Sequence, residues 1–301
     1  MGKNYTYEAA RVRVLEARLL TEEDYRRFSQ GGTEGELVQW AKSRGLGDTH
    51  TKTMREVLGV EEERLQVLAG ELLGEGLVYR VFSLPEAYEQ LKLELKQKYR
   101  SMTERTVKGF VTETMQKQLP FWTREMEGAS VAAMSVLLQT GSAQQFDIIL
   151  DKASLQEQQD AARESRISAL SIYAGHRLIA ANLRIALRSA VMGKSAAFIR
   201  EALIPCEKIN VSVLAEQASH GKEPLLTYLR EQGWRAAADA WKESSGAFEQ
   251  WCEAYQMEGL HQANRWEAFA VVLGYLLRKK EEIRRMRSIA GRLRAESQVS
   301  D

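Results

Sequence analysis

The sequence predicts an all-α protein, on three observations. Only four prolines, Pro85, Pro120, Pro205 and Pro224, interrupt 301 residues, which leaves room for long unbroken helices. The strong helix formers Ala, Leu, Glu, Gln, Lys and Arg are abundant. Apolar residues recur at helical steps, most clearly from Leu273 to Arg294, where Leu273, Leu276, Leu277, Ile283, Met286, Ile289 and Leu293 form one stripe. The other faces of that stretch are basic. Eight Lys or Arg stand between Arg278 and Arg294, against only Glu281 and Glu282.

Taken in order, a first helix starts near Tyr5 or Tyr7 and is expected to turn Ala10, Val14, Ala17 and Leu20 inward, with Arg11, Arg13 and Arg18 on its other faces. Thr21 followed by Glu22, Glu23 and Asp24 reads as an N-cap with an acidic first turn, so a second helix begins there and ends at Gly31 and Gly32. A third, from about Glu34, carries Leu37, Trp40 and Ala41, and Gly45 and Gly47 stop it. A long helix is expected from Leu84 to Thr114, capped by Ser83 or Ser101, with Leu91, Leu95 and Tyr99 on one stripe. Another is expected from Gln156 to Val191, through Ile167, Leu170, Ile172, Leu178, Ile179, Leu183 and Leu187. Short helices follow: one through Ile209, Val213 and Leu214, broken at His220 and Gly221, and another, Leu225 to Leu229, whose first turn suits Pro224 and which Gly233 closes. Glu249 to Tyr255 and Gln262 to Arg294 supply the final pair.

One helix is reused. Asn182, Leu183 and Arg184 stand one hundred positions before Glu282, Ile283 and Arg284, and ARVRVLEARLL, Ala10 to Leu20, repeats the pattern with Val12 and Arg13 in the places of Leu183 and Arg184. Leu203, Ile204 and Pro205 correspond to Leu19, Leu20 and Thr21, and LVQWAKSRGL corresponds to LLTYLREQGW. A fainter copy runs from Ser135 to Leu155, with Gly141 at its break. Long helix, short helices, long helix, three times over, implies units related by duplication. The expected domains are 1–85, 86–190 and 191–301.

Composition excludes several classes. With 42 basic and 41 acidic residues the net charge is +1, so no global footprint of a nucleic-acid binder exists, and no nucleic acid is expected as partner. The most apolar run, Ala268 to Leu277, falls far short of the roughly 20 residues that span a bilayer. MGKNYTYEAARVR lacks the apolar core of a signal peptide, so a cytoplasmic location is expected. Cys206 and Cys252 form no CxxC pair. Gly193, Lys194 and Ser195 are the tail of a phosphate loop whose first glycine position holds Arg188, which favours a structural turn. His50, His176, His220 and His261 are scattered without metal-ligand spacing and read as ordinary surface or cap histidines. No GxSxG elbow is present. No catalytic residue, cofactor or metal ligand is nominated.

The candidate functional residues are basic. Arg13, Arg184 with Arg188, and Arg284 with Arg287 occupy comparable places in the repeated units, and a pseudo-symmetric body would gather them on one side or around one cavity. The plain alternative is a solvated helix face, with Glu281 and Glu282 in reach of an ordinary ion pair to Arg285. Arg184, Arg188, Arg284, Arg285 and Arg287 are the partner-contact candidates.

YTYEAARVRVLEARLL at the start, ANLRIALRSAVMGKS with LIPCEKI in the middle, and AVVLGYLLRKKEEIRRMRSIAGR near the end resemble the C-type central-stalk component of prokaryotic V-type (A-type) rotary ATPases, which is similar to the d-type component of the eukaryotic enzyme. The resemblance implies three similar helical domains around a pseudo-threefold axis, forming a funnel. It also implies a noncatalytic rotor part, peripheral on the cytoplasmic membrane face. The implied partners are the membrane proteolipid rotor ring, the central shaft subunits and the whole V/A-ATPase complex. Its role would be torque transmission for proton or sodium transport, which asks for stiffness, and densely packed helices deform little. The rival reading is an unrelated α-helical scaffold, but a solenoid would repeat every ~30–45 residues rather than at the offset of one hundred seen here.

Overall fold

The computed structural model describes residues 4–30, 33–101, 109, 121–262 and 268–300. Among them the chain is all-α, with fourteen α-helices and no strand. It forms two compact units, Met1–Glu75 with Asn264–Asp301, and Gly76–Ala263. No helix of the described residues is long and apolar enough to cross a membrane.

The first unit holds α1 (Thr6–Glu16), α2 (Glu22–Ser29), α3 (Glu34–Ser43), α4 (Met54–Leu73) and the 33-residue α14 (Ala268–Ser300). Thr21 caps α2 as expected, its hydroxyl accepting from Asp24 N–H while the Asp24 carboxylate accepts from Thr21 N–H. The same reciprocal cap opens α3 (Thr33, Glu36) and α4 (Thr53, Glu56). Gly45 and Gly47, at φ 78° and 69°, turn the chain after α3 in the left-handed region. The expected stop of α2 at Gly31 and Gly32 lies outside the described residues. Helix α4 was not expected from the sequence. It carries Val57, Leu58, Leu65, Ala69, Leu72 and Leu73 into the core, where it packs against α14, as do α1, α2 and α3.

The orientation of α1 corrects the sequence reading. Its buried face is Tyr5 and Val12, while Ala10, Val14 and Ala17 are exposed. Residues 5, 8, 9, 12, 15 and 16 and residues 7, 10, 14 and 17 are two comparable stripes, and local periodicity cannot choose between them. Tyr5 decides it by packing edge-on against Phe269 of α14, ring centroids 5.1 Å apart.

The second unit runs through α5 (Leu77–Lys98), α6 (Arg124–Thr140), α7 (Ala143–Glu164), α8 (Ser168–Val191), α9 (Ala196–Ala202), α10 (Val211–Ser219), α11 (Lys222–Glu231), α12 (Arg235–Glu243) and α13 (Ser245–Gln262). Helix α5 starts at Leu77, well before Leu84, and the proposed boundary after residue 85 falls inside it. Ser83 is buried within the helix, so it is not its cap. Pro85 has no N–H to give to the Val81 carbonyl four residues back. Gln158 of α7 supplies the missing donor, its Nε2 lying 2.7 Å from Val81 O, and the helix continues through the proline. At its far end α5 gives way after Lys98 to a 3-10 turn, Tyr99–Ser101, and of the extension expected from there toward Thr114 the residues 102–108 and 110–114 lie outside the described residues, as do 263–267 of the final pair.

The single helix expected from Gln156 to Val191 is two, because Arg166 adopts φ 56° and breaks the chain between α7 and α8. Gly141 (φ 69°), Gly221 (φ 107°) and Gly233 (φ 86°) are turns where the sequence put them. Two apolar clusters fill the unit. Leu84, Tyr88, Leu91, Leu95, Met126, Met134, Phe146 and Leu150 knit α5, α6 and α7 together. Leu183, Leu187, Ile199, Leu214, Leu225, Leu229 and Phe248 belong to the other, which joins α8 to the helices after it.

Candidate functional site

The five candidate arginines fall into one pair and one triplet, each in its own unit, and every one meets a carboxylate of this chain. In the second unit Arg184 and Arg188, one turn apart on α8, share Glu249 of α13. Arg184 Nε lies 3.0 Å from both carboxylate oxygens and its Nη2 2.6 Å from one, and Arg188 Nη2 lies 2.9 Å from the other. Burial alone would raise the Glu249 carboxyl, but its two guanidinium partners outweigh that and hold it below the usual range. Arg184 is half-buried and Arg188 exposed.

In the first unit the basic face of α14 is fastened to the N-terminal helices. Arg285 grips Glu22 at 2.5 and 2.7 Å and lies over the Tyr25 ring, 3.9 Å from its centroid. That hydrogen bond lowers the Glu22 pKa and raises that of Arg285. Arg287 meets Glu62 at 2.6 Å, and Arg294 meets Glu34 at 2.7 Å. Arg278 pairs with Glu16. Arg284 bridges Glu281 of its own helix at 2.8 and 3.0 Å. Arg13 likewise pairs within α1, with Glu16.

Beneath this face lies a buried charge chain that the sequence did not reveal. Glu282 accepts Leu20 N–H at 2.7 Å and Lys279 Nζ at 2.6 Å. Lys279 also reaches Glu61 at 3.0 Å, and Glu61 takes Arg64 at 2.7 Å and Gly47 N–H at 3.2 Å. Desolvation would depress the Lys279 pKa, but Glu282 and Glu61 overcome it and raise it.

The repeated helix supplies the counterpart. Asn182, buried on α8 at the position matching Glu282, accepts Ile204 N–H at 2.9 Å and donates to Ile204 O at 2.7 Å. Ile204 in turn matches Leu20. The sequence correspondences therefore mark one structural task done twice: a long helix uses a buried polar side chain to hold the extended backbone of a neighbouring connection.

Other residues singled out from sequence serve the fold. Gly193, Lys194 and Ser195 form the turn from α8 to α9, with Gly193 at φ 61° and Ser195 capping α9 through Phe198 N–H. Cys206 and Cys252 are free thiols, and burial pushes the Cys252 thiol up to about 12. His50 and His220 are exposed, and the His261 side chain lies outside the described residues. His176 departs from expectation. It is buried, donates from Nδ1 to Tyr255 O at 2.7 Å, and stacks on the Tyr255 ring at 4.1 Å. Tyr255 stacks in turn on Trp251, and Trp251 on Phe248. The signal for that ladder was the spacing of Phe248, Trp251 and Tyr255 on one face of α13. Also unforeseen was buried Glu157, which takes Arg80, the Tyr88 hydroxyl at 2.8 Å and the Thr123 hydroxyl at 3.1 Å. Among the described residues no three His, Cys, Asp or Glu side chains gather as a metal-holding group.

The geometry defines an all-helical protein whose charged side chains chiefly bind helix to helix. The family described as ATP synthase (C/AC39) subunit matches residues 78–298, nearly three quarters of the sequence, and the chain belongs to this family of V/A-type ATPase subunits. No curated protein matches it.

Proposed function

We propose that the chain is the noncatalytic central-stalk subunit of a prokaryotic V/A-type rotary ATPase, joining the membrane proteolipid ring to the central shaft and passing torque between them for ion transport. The observation that carries this reading is the family match over residues 78–298. The division into three similar domains, 1–85, 86–190 and 191–301, around a pseudo-threefold funnel belongs to the proposal, as does a peripheral place on the cytoplasmic face of the membrane. The buried-polar anchor repeated at Asn182 and Glu282 supports the duplication. A rotor part must not yield under load, and helices tied by packed cores and paired charges suit that demand.

Arg184, Arg188, Arg284, Arg285 and Arg287 are proposed contacts to neighbouring subunits. Each is paired within the chain, yet all five keep exposed surface, and a guanidinium has five donors to share. The test is a pull-down of the tagged protein from its own membranes in mild detergent, with partners identified by mass. Recovery of a proteolipid ring together with stalk and head subunits is the expected result. Recovery of the chain alone, or with unrelated partners, overturns the reading. Arg188→Glu and Arg284→Glu, chosen because both positions are exposed, should reduce that recovery while leaving the melting temperature nearly unchanged. Undiminished recovery removes the arginines from the interface.

A further inference from the structure

The face of α1 that the sequence suggested for the core is instead open to solvent. Tyr7 is 76% exposed and Val14 68% exposed, with Ala10 and Arg11 between them on the same face. Arg11 lines an open groove of about 520 Å³ with Asp48 and a row from α4, Val60, Glu63, Arg64, Val67, Leu68 and Glu71. Val67 is 58% exposed. Of the most exposed large apolar side chains of the described residues, Val67 lines this groove, and Tyr7 and Val14 share the face of α1 that brings Arg11 to it. Exposed apolar side chains set beside a charged rim in this way are the pattern of an interaction site. Its two walls are helices, and both present apolar residues at i and i+7, the spacing that receives a third helix.

The charges select the occupant. The two cations of the lining are already neutralised, Arg11 by Glu71 at 2.8 Å and Arg64 by Glu61 at 2.7 Å. The Asp48 carboxylate accepts His50 and Thr51 N–H and lies within the field of Arg64, while Glu63 has no ion-pair partner among the described residues, so the charge left at the lip is acidic. An anionic membrane surface would be repelled.

We propose that the groove between α1 and α4 receives an amphipathic α-helix of another subunit of the rotary complex, with aliphatic residues at i, i+3 or i+4, and i+7, and Lys or Arg beside them. This rests on the stalk-subunit reading above. A groove of this size is one part of a larger interface, and it places the anchoring contacts at Val14 and Val67.

The test places the photoreactive residue p-benzoylphenylalanine at position 67 of the full chain in its own cells, then purifies the complex in mild detergent. The adduct is identified by peptide mass, and a Val14→Asp, Val67→Asp double variant is purified in parallel. The expected adduct is a segment of another ATPase subunit with that apolar spacing and basic flanks, and the double variant should be recovered in the complex at least tenfold less. Both positions are exposed, so its melting temperature should hold; Glu63→Lys, which leaves the apolar residues in place, should give a smaller loss in the same direction. An adduct to lipid, to a second copy or to an acidic segment overturns the proposal, as does an intact complex without adduct. If the unaltered chain recovers no ATPase subunits at all, the stalk reading has failed instead, so the two failures are distinguishable.

Discussion

Asn182 in α8 and Glu282 in α14 hold the backbone N–H groups of matching residues, Ile204 and Leu20, yet they impose different surroundings. The amide of Asn182 is neutral and both accepts and donates, so Ile204 N–H, Ile204 O and Cys206 Sγ satisfy it without any charge and its neighbours can be Leu183, Ala186 and Leu187. The carboxylate of Glu282 brings a charge that must be compensated where it is buried. It therefore comes with Lys279, which brings Glu61, which engages Arg64. One mechanical task solved with a neutral and a charged side chain gives two units with different exposure to salt and acid. A buried ionic chain is costly to break at any one link, whereas the amide stands alone.

The largest expected effect breaks that comparison directly. Glu282→Ala leaves Leu20 N–H without its acceptor and Lys279 with one carboxylate fewer, and should cost about 3–5 kcal/mol, the range for removing one partner of a buried pair. Asn182→Ala should cost about 1–3 kcal/mol, the penalty for a buried polar group left unsatisfied. Hydrogen exchange read peptide by peptide should show faster exchange around α14 and α2 for the first and around α8 and α9 for the second. Equal losses in both units after either substitution would mean that the two anchors are not independent.

A smaller effect sharpens the contrast through pH. Burial lowers the His176 pKa from 6.5, against the opposing hydrogen bond to Tyr255, with Lys208 and Glu258 as the nearby charges. The folded state then binds fewer protons than the unfolded state just below 6.5. Stability of the second unit is therefore full above that pH and falls as acid drives the pH down through the folded pKa. Exchange in α8 and α13 should rise over this window, and His176→Phe should flatten the dependence; an unchanged slope would assign the acid response to other groups.

The smallest effect concerns the rim of α14. Arg287→Ala removes an exposed pair with Glu62 and should cost about 0–1 kcal/mol. The loss should shrink further in 1 M salt, where exposed charges are screened within about 3 Å. Denaturant midpoints at low and high salt check it, and a loss above about 2 kcal/mol would show that the pair does not behave as an exposed one.

Much of the local structure was legible. Thr21 with its acidic first turn, the stops at Gly45, Gly47, Gly141, Gly221 and Gly233, and the stripe of Leu91 and Leu95 act over one or two turns, and the structure keeps each of them. The correspondence of residues 182–184 with 282–284 was visible too, because a shared packing task leaves a shared pattern. The ion partners of the arginines were not visible, since Glu22 and Glu62 stand 263 and 225 positions from Arg285 and Arg287.

By itself, then, the sequence determined that the chain is helical, where most of the short helices start and stop, and which helix is repeated, because caps, glycine turns and apolar spacing are decided by neighbours a few residues away. Tertiary structure alone chose which of two apolar stripes of α1 is buried, carried α5 through Pro85 with a donor borrowed from Gln158, and broke the long helix at Arg166. Those choices depend on groups brought close only by folding, and no local pattern encodes which distant surface will arrive.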